Sequence, residues 1–385
     1  MQTTLTLPID ALHSADFAQL MERPRTPSVS LYLPTHHAGR DVRQDPIRLK
    51  NLAREAEDSL IAAGMRNGEI PEILGPVKRL LEDALFWRYQ NLGLAIFLSP
   101  RWNRFFRLPI AFEELAIVGD RFHLKPLLPL MSNSISFCVL ALSQRRLRLF
   151  HCRNYGTQEI DLDGRVPRNR EEALAWEGGE EGRLNGTHDR LRATGANRSD
   201  HLLDLERYCH LIDHGIGQAL PEPRIPLVLS GTEPLLSLYR EVSSLPELEP
   251  SPIPGNPDQL DADEFHARGW QAVRPRFERL IQERKSRFEE LANKRSPTAA
   301  VRLEVVVPAS ASGRVDMLFV PRSQQCWGRF DREEQTVAVH PRRQPGDEDL
   351  LDLAAVQTFS HGGNIHVLSP EEIPGPGPVA AILRY

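Results

Sequence analysis

The sequence predicts a multi-domain α/β protein, and three observations lead to that prediction. The chain has 385 residues, whereas one domain usually takes about 100–200, so two or three domains are expected. Hydrophobic residues make up 41% and charged residues 26%, which provides enough apolar material for packed cores. Strand and helix patterns follow one another along the chain, and proline-bearing connectors interrupt them near 126–134 and 246–260.

The first predicted segment combines strands with two helices. Asp45 is expected to cap the first helix and Pro46 to occupy its first position. Apolar residues then recur at helical spacing. The expected strands span 28–33, 93–99, 104–108 and 122–124, and the expected helices span 47–65 and 72–90.

The second predicted segment begins with ISFCVLALSQ, an almost continuous apolar run that favours a strand buried on both faces. The alternating RLRLFHCR is expected to form a hairpin with it, and EIDLDG to add a third strand. The order of IPLVLSG and the helix pattern TEPLLSLYREV indicates parallel pairing in this sheet. Further helices are expected over 201–220 and 263–293.

The third predicted segment alternates strands with one clear helix. PGDEDLLDLAAVQTFSHGG has acidic residues where a helix begins and glycines where it ends. The strand-like stretches are GRVDMLFV, CWGRF, TVAVH, NIHVLS and PVAAILRY.

Charge and cysteine content exclude several classes of protein. The net charge is −5 and the pI is about 6.2, so the chain is not a generic basic coat for nucleic acid, and any RNA contact must come from local patches. The beginning of the sequence has no signal-peptide pattern, and no apolar run is long enough to span a membrane. The four cysteines are scattered, which argues against a disulfide framework or a zinc knuckle and favours the cytoplasm.

Several phrases of the sequence resemble one known family. VDMLFV, WGRFD, PGDEDLLDLAAVQTFSHGG and GPVAAILRY are similar to the C-terminal domain of the bacterial archaeo-eukaryotic release-factor-like (baeRF, Pelota-related) family, in its third subfamily. VSLYLPTHHAGRDVRQDPIRLKNL resembles the N-terminal signature of this family, and GNPDQLDADEFHARGW resembles its passage into the third domain. The tract 165–200 matches least well.

The resemblance implies three domains and a partner. These are an N-terminal α/β domain over 1–134, an RNase-H-like middle domain over 135–260, and a C-terminal α/β/α sandwich over 261–385. The last would resemble the kink-turn-binding ribosomal-protein fold, and VRLEVVVPASAS would be a helix there, although composition alone favours a strand. The implied partners are the ribosome, its rRNA or tRNA, and a translational GTPase; the oligomeric state stays open.

The first candidate site is the long loop 177–200, which has no clear periodicity. In release factors a Gly-Gly-Gln loop stands at the corresponding place, but here Gly178 and Gly179 are followed by Glu180. A carboxylate is a poor substitute near rRNA phosphates, so peptidyl-tRNA hydrolysis is not expected. From 183 to 198 four arginines stand against one aspartate, a balance that suits phosphate binding in RNA, but a mobile surface loop with no fixed partner is slightly favoured. The candidate residues are Arg183, His188, Arg190, Arg192 and Arg198.

The second candidate site is the loop 34–45 and the start of the helix after it. Five basic residues stand against two aspartates over 34–54, and a helix N-terminus favours an anion. The histidines offer stacking on bases. The alternative is a solvated loop whose arginines pair with nearby carboxylates. The candidate residues are His36, His37, Arg40, Arg43, Arg48 and Lys50.

Three further sets have a structural interpretation that outweighs the functional one. His210 and His214 have the spacing of metal ligands but lack an evident third ligand, so exposed histidines are expected. The motif Ser230-Gly231-Thr232-Glu233 fits an ordinary cap by Thr232. The acidic residues of the third segment fit a helix N-terminus better than a magnesium site; they are Asp347, Glu348, Asp349 and Asp352.

Three hypotheses about function remain. The favoured one is a ribosome-binding factor that acts by occupancy, in hibernation or in recognition of stalled ribosomes. The alternatives are a metal-dependent RNA nuclease on the RNase-H-like sheet and a protein-binding adaptor with a degenerate release-factor fold. Walker, GxGxxG, GxSxG and HExxH motifs are absent from the sequence, so we expect no cofactor, no metal and no complete catalytic motif.

Overall fold

The computed structural model describes residues 12, 14–22, 26–36, 41–131, 136–153, 156–162, 164–169, 172–173 and 198–385, except for the side chains of 14 and 198–202. The contacts group the chain into two compact units. The first combines Met1–Ser132 with Gln282–Tyr385, and the second is Asn133–Ile281. The division of the sequence into three domains is not tested by this grouping of contacts and stays a prediction.

The N-terminal part of the first unit is an antiparallel sheet covered by helices. The strands β1 to β4 lie in the order β3-β2-β1-β4. Leu49, Leu52, Ala56 and Leu60 recur along one side of α2, and all four are buried in a core shared with β1 and β2. The strands are β1 Ser28–Pro34, β2 Gly93–Ser99, β3 Trp102–Leu108 and β4 Leu115–Gly119; the helices are α1 Ser14–Glu22, α2 Asp45–Ala62, α3 Ile70–Glu82, α4 Ala84–Arg88 and α5 Leu128–Met131.

Three sequence predictions for this part are wrong in detail. Gln44, not Asp45, is the N-cap of α2, because a 3-10 turn over Asp41–Arg43 leads directly into the helix. The helix expected over 72–90 is broken at Asp83, whose backbone is extended and whose carboxylate caps α4 through the N–H groups of Leu85 and Phe86. No strand forms over 122–124, since the N–H groups there bond to side chains rather than to a neighbouring strand.

The C-terminal part of the first unit contains a second sheet, in the order β10-β16-β11-β15, and a small sheet in the order β13-β12-β14. β11 pairs in parallel with β15 and antiparallel with β16. The helix implied by the resemblance for VRLEVVVPASAS is confirmed, as α9. The elements are β10 Ala299–Ala300, α9 Leu303–Ala311, β11 Val315–Pro321, β12 Trp327–Asp331, β13 Thr336–Val339, β14 Glu348–Asp349, α10 Leu350–Ser360, β15 Asn364–Leu368 and β16 Ala380–Leu383.

The second unit is built on a five-stranded sheet in the order β7-β6-β5-β8-β9. β5 pairs antiparallel with β6 and in parallel with β8, so the predicted hairpin and the predicted parallel pairing are both confirmed. The elements are β5 Ser136–Leu142, β6 Leu147–Arg153, β7 Gly156–Ile160, α6 Arg198–Ala219, β8 Leu227–Gly231, α7 Glu233–Val242, β9 Ile253–Pro254 and α8 Ala262–Asn293, of which α8 continues into the first unit.

The central strand β5 is buried on both faces, as its apolar sequence predicts. Cys138, Leu140 and Leu142 belong to a core with residues of α6 and α7. Phe137, Val139 and Ala141 belong to a second core, which includes Phe265 and Val273 of α8. Helices therefore cover both faces of this sheet, and a continuous apolar run is the sequence that such a strand requires.

A buried polar network joins the first and last parts of the first unit. Asp352, 2% exposed, accepts hydrogen bonds of 2.6 Å from the N–H groups of Leu124 and Lys125. The ammonium group of Lys125, which is fully buried, lies 3.1 Å from Asp349. Asp349 also caps α10 through the N–H of Leu351. A buried charge is tolerated when it is paired in this way.

Replacing Asp352 with alanine is expected to destabilise the protein by about 3–5 kcal/mol, because two buried N–H groups lose their acceptor and nearby cations lose a counter-charge. The measurement is the free energy of urea unfolding of the intact chain, followed by circular dichroism. Asp58→Ala, at an exposed position of α2, is the control. A loss no larger than that of the control would contradict the assigned role of Asp352.

His366 should make stability depend on pH. Its Nε2 accepts a hydrogen bond of 2.7 Å from Arg284, and the ring stacks on Phe319. Burial, with Arg284 and Lys285, lowers its pKa from 6.5 to about 4. Between these two pKa values the unfolded chain binds a proton that the folded chain does not. The free energy of unfolding is therefore unaffected by this histidine above pH 6.5 and decreases as the pH falls towards 4.

We expect this residue to contribute a stability loss of about 3 kcal/mol across that window. His366→Gln keeps a hydrogen-bond acceptor but has no titrating ring, so its unfolding free energy should decrease less between pH 7 and pH 4.5. Urea unfolding at several pH values measures both proteins. Parallel pH profiles of the wild type and the variant would rule out this contribution.

Candidate RNA-contact surface

The loop after β1 is held at both ends by hydrogen bonds. Thr35 donates its N–H to the carbonyl of Leu92 at 2.9 Å and its hydroxyl to the carbonyl of Asn91 at 2.8 Å. His36 comes next and donates its N–H to Asp45 at 2.8 Å. The chain thus leaves the sheet in a fixed direction and is tied to the start of α2.

Asp45 is the anchor of this region. The residue is fully buried, and its Oδ1 lies 2.9 Å from Nδ1 of His36 and 3.3 Å from Arg48. Arg48 also pairs with Glu114 at 3.1 Å. The structure therefore brings together two of the predicted contact residues, His36 and Arg48, and engages both with a carboxylate of the protein itself.

The start of α2 differs from the open helix N-terminus expected from the sequence. The N–H of Gln44 bonds to the carbonyl of Asp41, and the N–H of Arg48 bonds to the carbonyl of Gln44. The 3-10 turn and the helix thus form a continuous hydrogen-bonded path. The N–H groups of Gln44 and Arg48 are therefore not available to an anion.

Three exposed cations lie along one side of this path. Arg43, Lys50 and Arg54 are exposed, and no carboxylate of the described residues pairs with any of them. Ile47 lies between them and is 51% exposed. These four residues, at helical spacing, are called the cationic face of α2. Glu57 and Asp58 are exposed on the next turn, so the positive region is confined to the beginning of the helix.

The other residues predicted to contact RNA lie wholly or partly outside the described part of the chain. His37 and Arg40 lie outside the described residues, as do Gly178, Gly179 and Glu180 at the Gly-Gly-Gln position. Arg198 begins α6, but only its backbone is described. The remaining predicted residues of the long loop are likewise outside the described part; they are Arg183, His188, Arg190 and Arg192.

The histidine pair of α6 and the Ser230 motif have structural roles in part. His210 and His214 are exposed, and among the described residues no group of three His, Cys, Asp or Glu side chains is placed to hold a metal ion. Asp213, between them, is buried and accepts hydrogen bonds from Tyr239, Ser243 and Ser244. Thr232 is the N-cap residue of α7, as the sequence predicts, but its side chain makes no cap hydrogen bond.

The acidic residues of the third segment are engaged by partners from the protein itself. Asp349 is a helix cap, as the sequence predicts. Asp347 accepts hydrogen bonds from the His340 ring and the N–H of Gln344. Burial alone would raise the pKa of Asp347, but these hydrogen bonds lower it overall. Sequence reasoning missed the buried partner Lys125, for which the sequence offers no signal beyond a lone lysine in an apolar stretch.

The first unit also contains a cleft of about 890 Å³, lined by both of its parts. Most of its arginines are already engaged: Arg121 pairs with Glu348, and Arg329 pairs with Asp347. Arg343 lies over the ring of Trp327 at 4.5 Å and donates to the carbonyl of Val118. These contacts give Arg121, Arg329 and Arg343 structural roles.

None of the described helices is both long and apolar enough to cross a membrane. The four cysteines are free. No curated protein matches the sequence.

Solved structures of translation factors overlap loosely with the chain. Archaeoglobus fulgidus Pelota is 14% identical over 76% of this chain and 79% of that chain, with a TM-score of 0.32. An archaeal translation termination factor is 14% identical over 96% of both chains, with a TM-score of 0.22. A model of ribosome-bound archaeal Pelota is 15% identical over 74% of this chain and 73% of that chain, with a TM-score of 0.35.

A family model gives the more specific result. The model of bacterial archaeo-eukaryotic release factor family 3 matches residues 136–314, a stretch that includes the whole five-stranded sheet. The resemblance inferred from the phrases of the sequence is thereby confirmed: over residues 136–314 the chain matches bacterial archaeo-eukaryotic release factor family 3.

Proposed function

We propose that this protein is a ribosome-associated factor of the release-factor and Pelota type that binds rRNA and does not hydrolyse peptidyl-tRNA. The observation that carries the proposal is the cationic face of α2, where three exposed cations have no carboxylate partner among the described residues. Phosphate contacts from such side chains supply most of the affinity of proteins for RNA that is independent of sequence.

The architecture supports the same proposal. The sheet order β7-β6-β5-β8-β9, with helices on both faces, supports an RNase-H-like middle domain. The sheet β10-β16-β11-β15, with α9 and α10 in contact with β11, supports an α/β/α sandwich of the kink-turn-binding type. The match to a release factor family makes translation the process in which such a fold would act.

The sequence at the Gly-Gly-Gln position supports binding without hydrolysis. Gly178 and Gly179 are followed by Glu180, and a carboxylate would be repelled by the phosphates around the peptidyl ester. The factor would then act by occupying the ribosome, in hibernation or in recognition of stalled ribosomes. A translational GTPase as a further partner, and a cytoplasmic location, follow from the same proposal.

No specific observation favours the two alternatives, an RNA nuclease and a protein-binding adaptor. A nuclease on the five-stranded sheet would need clustered carboxylates, and β5, the central strand, carries none. An adaptor for a non-ribosomal protein would need a partner surface of its own, whereas the exposed Ile47 of α2 stands beside cations.

The first test reverses the charge of the cationic face. We expect the wild type to sediment with ribosomes at low salt and to dissociate as salt rises. Arg43→Glu, Lys50→Glu and Arg54→Glu together should weaken binding by at least about tenfold and reduce the slope of log K against log salt by about 2, because up to three phosphate contacts are lost.

The matched control is Arg66→Glu, Lys78→Glu and Arg79→Glu, which makes the same charge change at three exposed positions of the same unit. It should retain most of the binding. Equal losses in both triple variants would show a non-specific charge effect. No sedimentation of the wild type with ribosomes, from growing or from starved cells, would refute the proposed function.

The second test measures hydrolysis directly. Ribosomes that carry labelled peptidyl-tRNA should release no peptide above the buffer rate when the purified protein is added. Puromycin, added in parallel, should release the peptide and so prove that the complexes are competent. Peptide release that depends on the protein would contradict a factor that acts by binding alone.

A further inference from the structure

The second unit contains an arginine-lined cleft of about 570 Å³, separate from the cationic face of α2. It is formed by the turn between β5 and β6, the end of β7, and the segment 164–169. The N–H of Leu147 bonds to the carbonyl of Arg168 at 2.9 Å, which fixes this segment beside the start of β6. Residues distant in sequence are thus brought to one edge of the sheet.

The cleft is positively charged. Four arginines line it, at positions 145, 146, 148 and 168, against two acids, Glu159 and Asp161. Glu159 pairs with Arg146 at 3.6 Å, which is its only ion pair among the described residues. Both side chains are about half exposed or more. Such a pair is weak and easily exchanged for another partner. Arg145 is exposed and has no carboxylate partner among the described residues.

Arg148 provides a second, independent observation. The residue is 9% exposed and lies over the rings of Phe150 and Phe265, at 5.2 and 5.1 Å. It donates hydrogen bonds to the carbonyls of Pro257 and Leu260, and no carboxylate of the described residues pairs with it. Burial and the neighbouring Arg146 lower its pKa, against the opposite effect of Glu159 and Asp258. An anion in the cleft would help to compensate its charge.

We propose that this cleft binds a phosphate of an RNA strand. The guanidinium groups of Arg145 and Arg146 supply forked donors that match phosphate oxygens. Glu159, beside them, supplies an acceptor for a ribose 2′-hydroxyl, the group that distinguishes RNA from DNA. The cleft therefore favours a ribose phosphate over a free phosphate. The inference deepens the proposed function by adding a second RNA contact, and it rests on that function for the choice of RNA.

The experiment measures binding of a fluorescein-labelled 12-nucleotide single-stranded RNA to the intact chain by fluorescence anisotropy. Arg145→Glu with Arg146→Glu should raise Kd by about tenfold or more. Arg224→Glu with Arg279→Glu makes the same charge change at two exposed positions of the same unit, and should raise Kd by less than about threefold. Equal effects of the two double variants would overturn the assignment of the cleft.

Two further arms identify the ligand. DNA of the same sequence should bind more weakly than RNA, and Glu159→Gln should reduce that difference; equal binding of DNA and RNA by the wild type would overturn the RNA assignment. Inorganic phosphate at millimolar concentration should compete weakly. If it binds by calorimetry while the RNA does not, the site is one for a free anion and the proposal fails.

The outcomes for the cleft and for the proposed function are distinguishable. Loss of RNA binding in the cleft variant, in a protein that does not sediment with ribosomes, would support the cleft and refute the ribosomal function. Ribosome sedimentation that depends on the cationic face of α2, with RNA binding unchanged in the cleft variant, would support the function and refute the cleft.

Discussion

The pairing of Asp352 and Asp349 with groups from 124–125 is the interaction on which the first unit depends. Two stretches more than 200 residues apart in sequence meet there, as the hydrogen bond between Leu124 and Asp352 shows. The contact is buried and polar, so it specifies one arrangement where apolar packing alone would tolerate several. It also sets the N-terminal sheet, and with it α2, against the C-terminal part of the same unit.

Much of the fold could be predicted from local pattern. The run ISFCVLALSQ predicts β5 and its burial on both faces. A strand that alternated apolar and polar residues would have one polar face, whereas this run has two apolar faces. Prediction failed where a distant side chain decides the outcome. The stretch 122–124 has a strand-like composition, but Ser30 and Asp352 take its N–H groups, and neither contact is visible in a short window of sequence.

The candidate site was also predictable only in part, because contacts with distant side chains decide which of its residues are free. A cluster of basic residues around α2 is visible in the sequence, but which of them are free is not. Arg48 is engaged by Asp45 and Glu114, whereas Arg43, Lys50 and Arg54 are exposed and have no carboxylate partner in the described part of the chain. Arg148 escaped prediction altogether, since its aromatic neighbour Phe265 and its carbonyl acceptors come from beyond position 255.

The exposed cations on the cationic face of α2 affect how the molecule approaches a partner. The chain as a whole carries a net charge of −5, so a polyanion repels it at long range. Within a Debye length, of about 8–10 Å at moderate salt, the local positive region acts instead. A protein with this uneven charge distribution is oriented by the field of the polyanion before the two make contact. The rate of productive encounters then depends on orientation and ionic strength rather than on overall attraction.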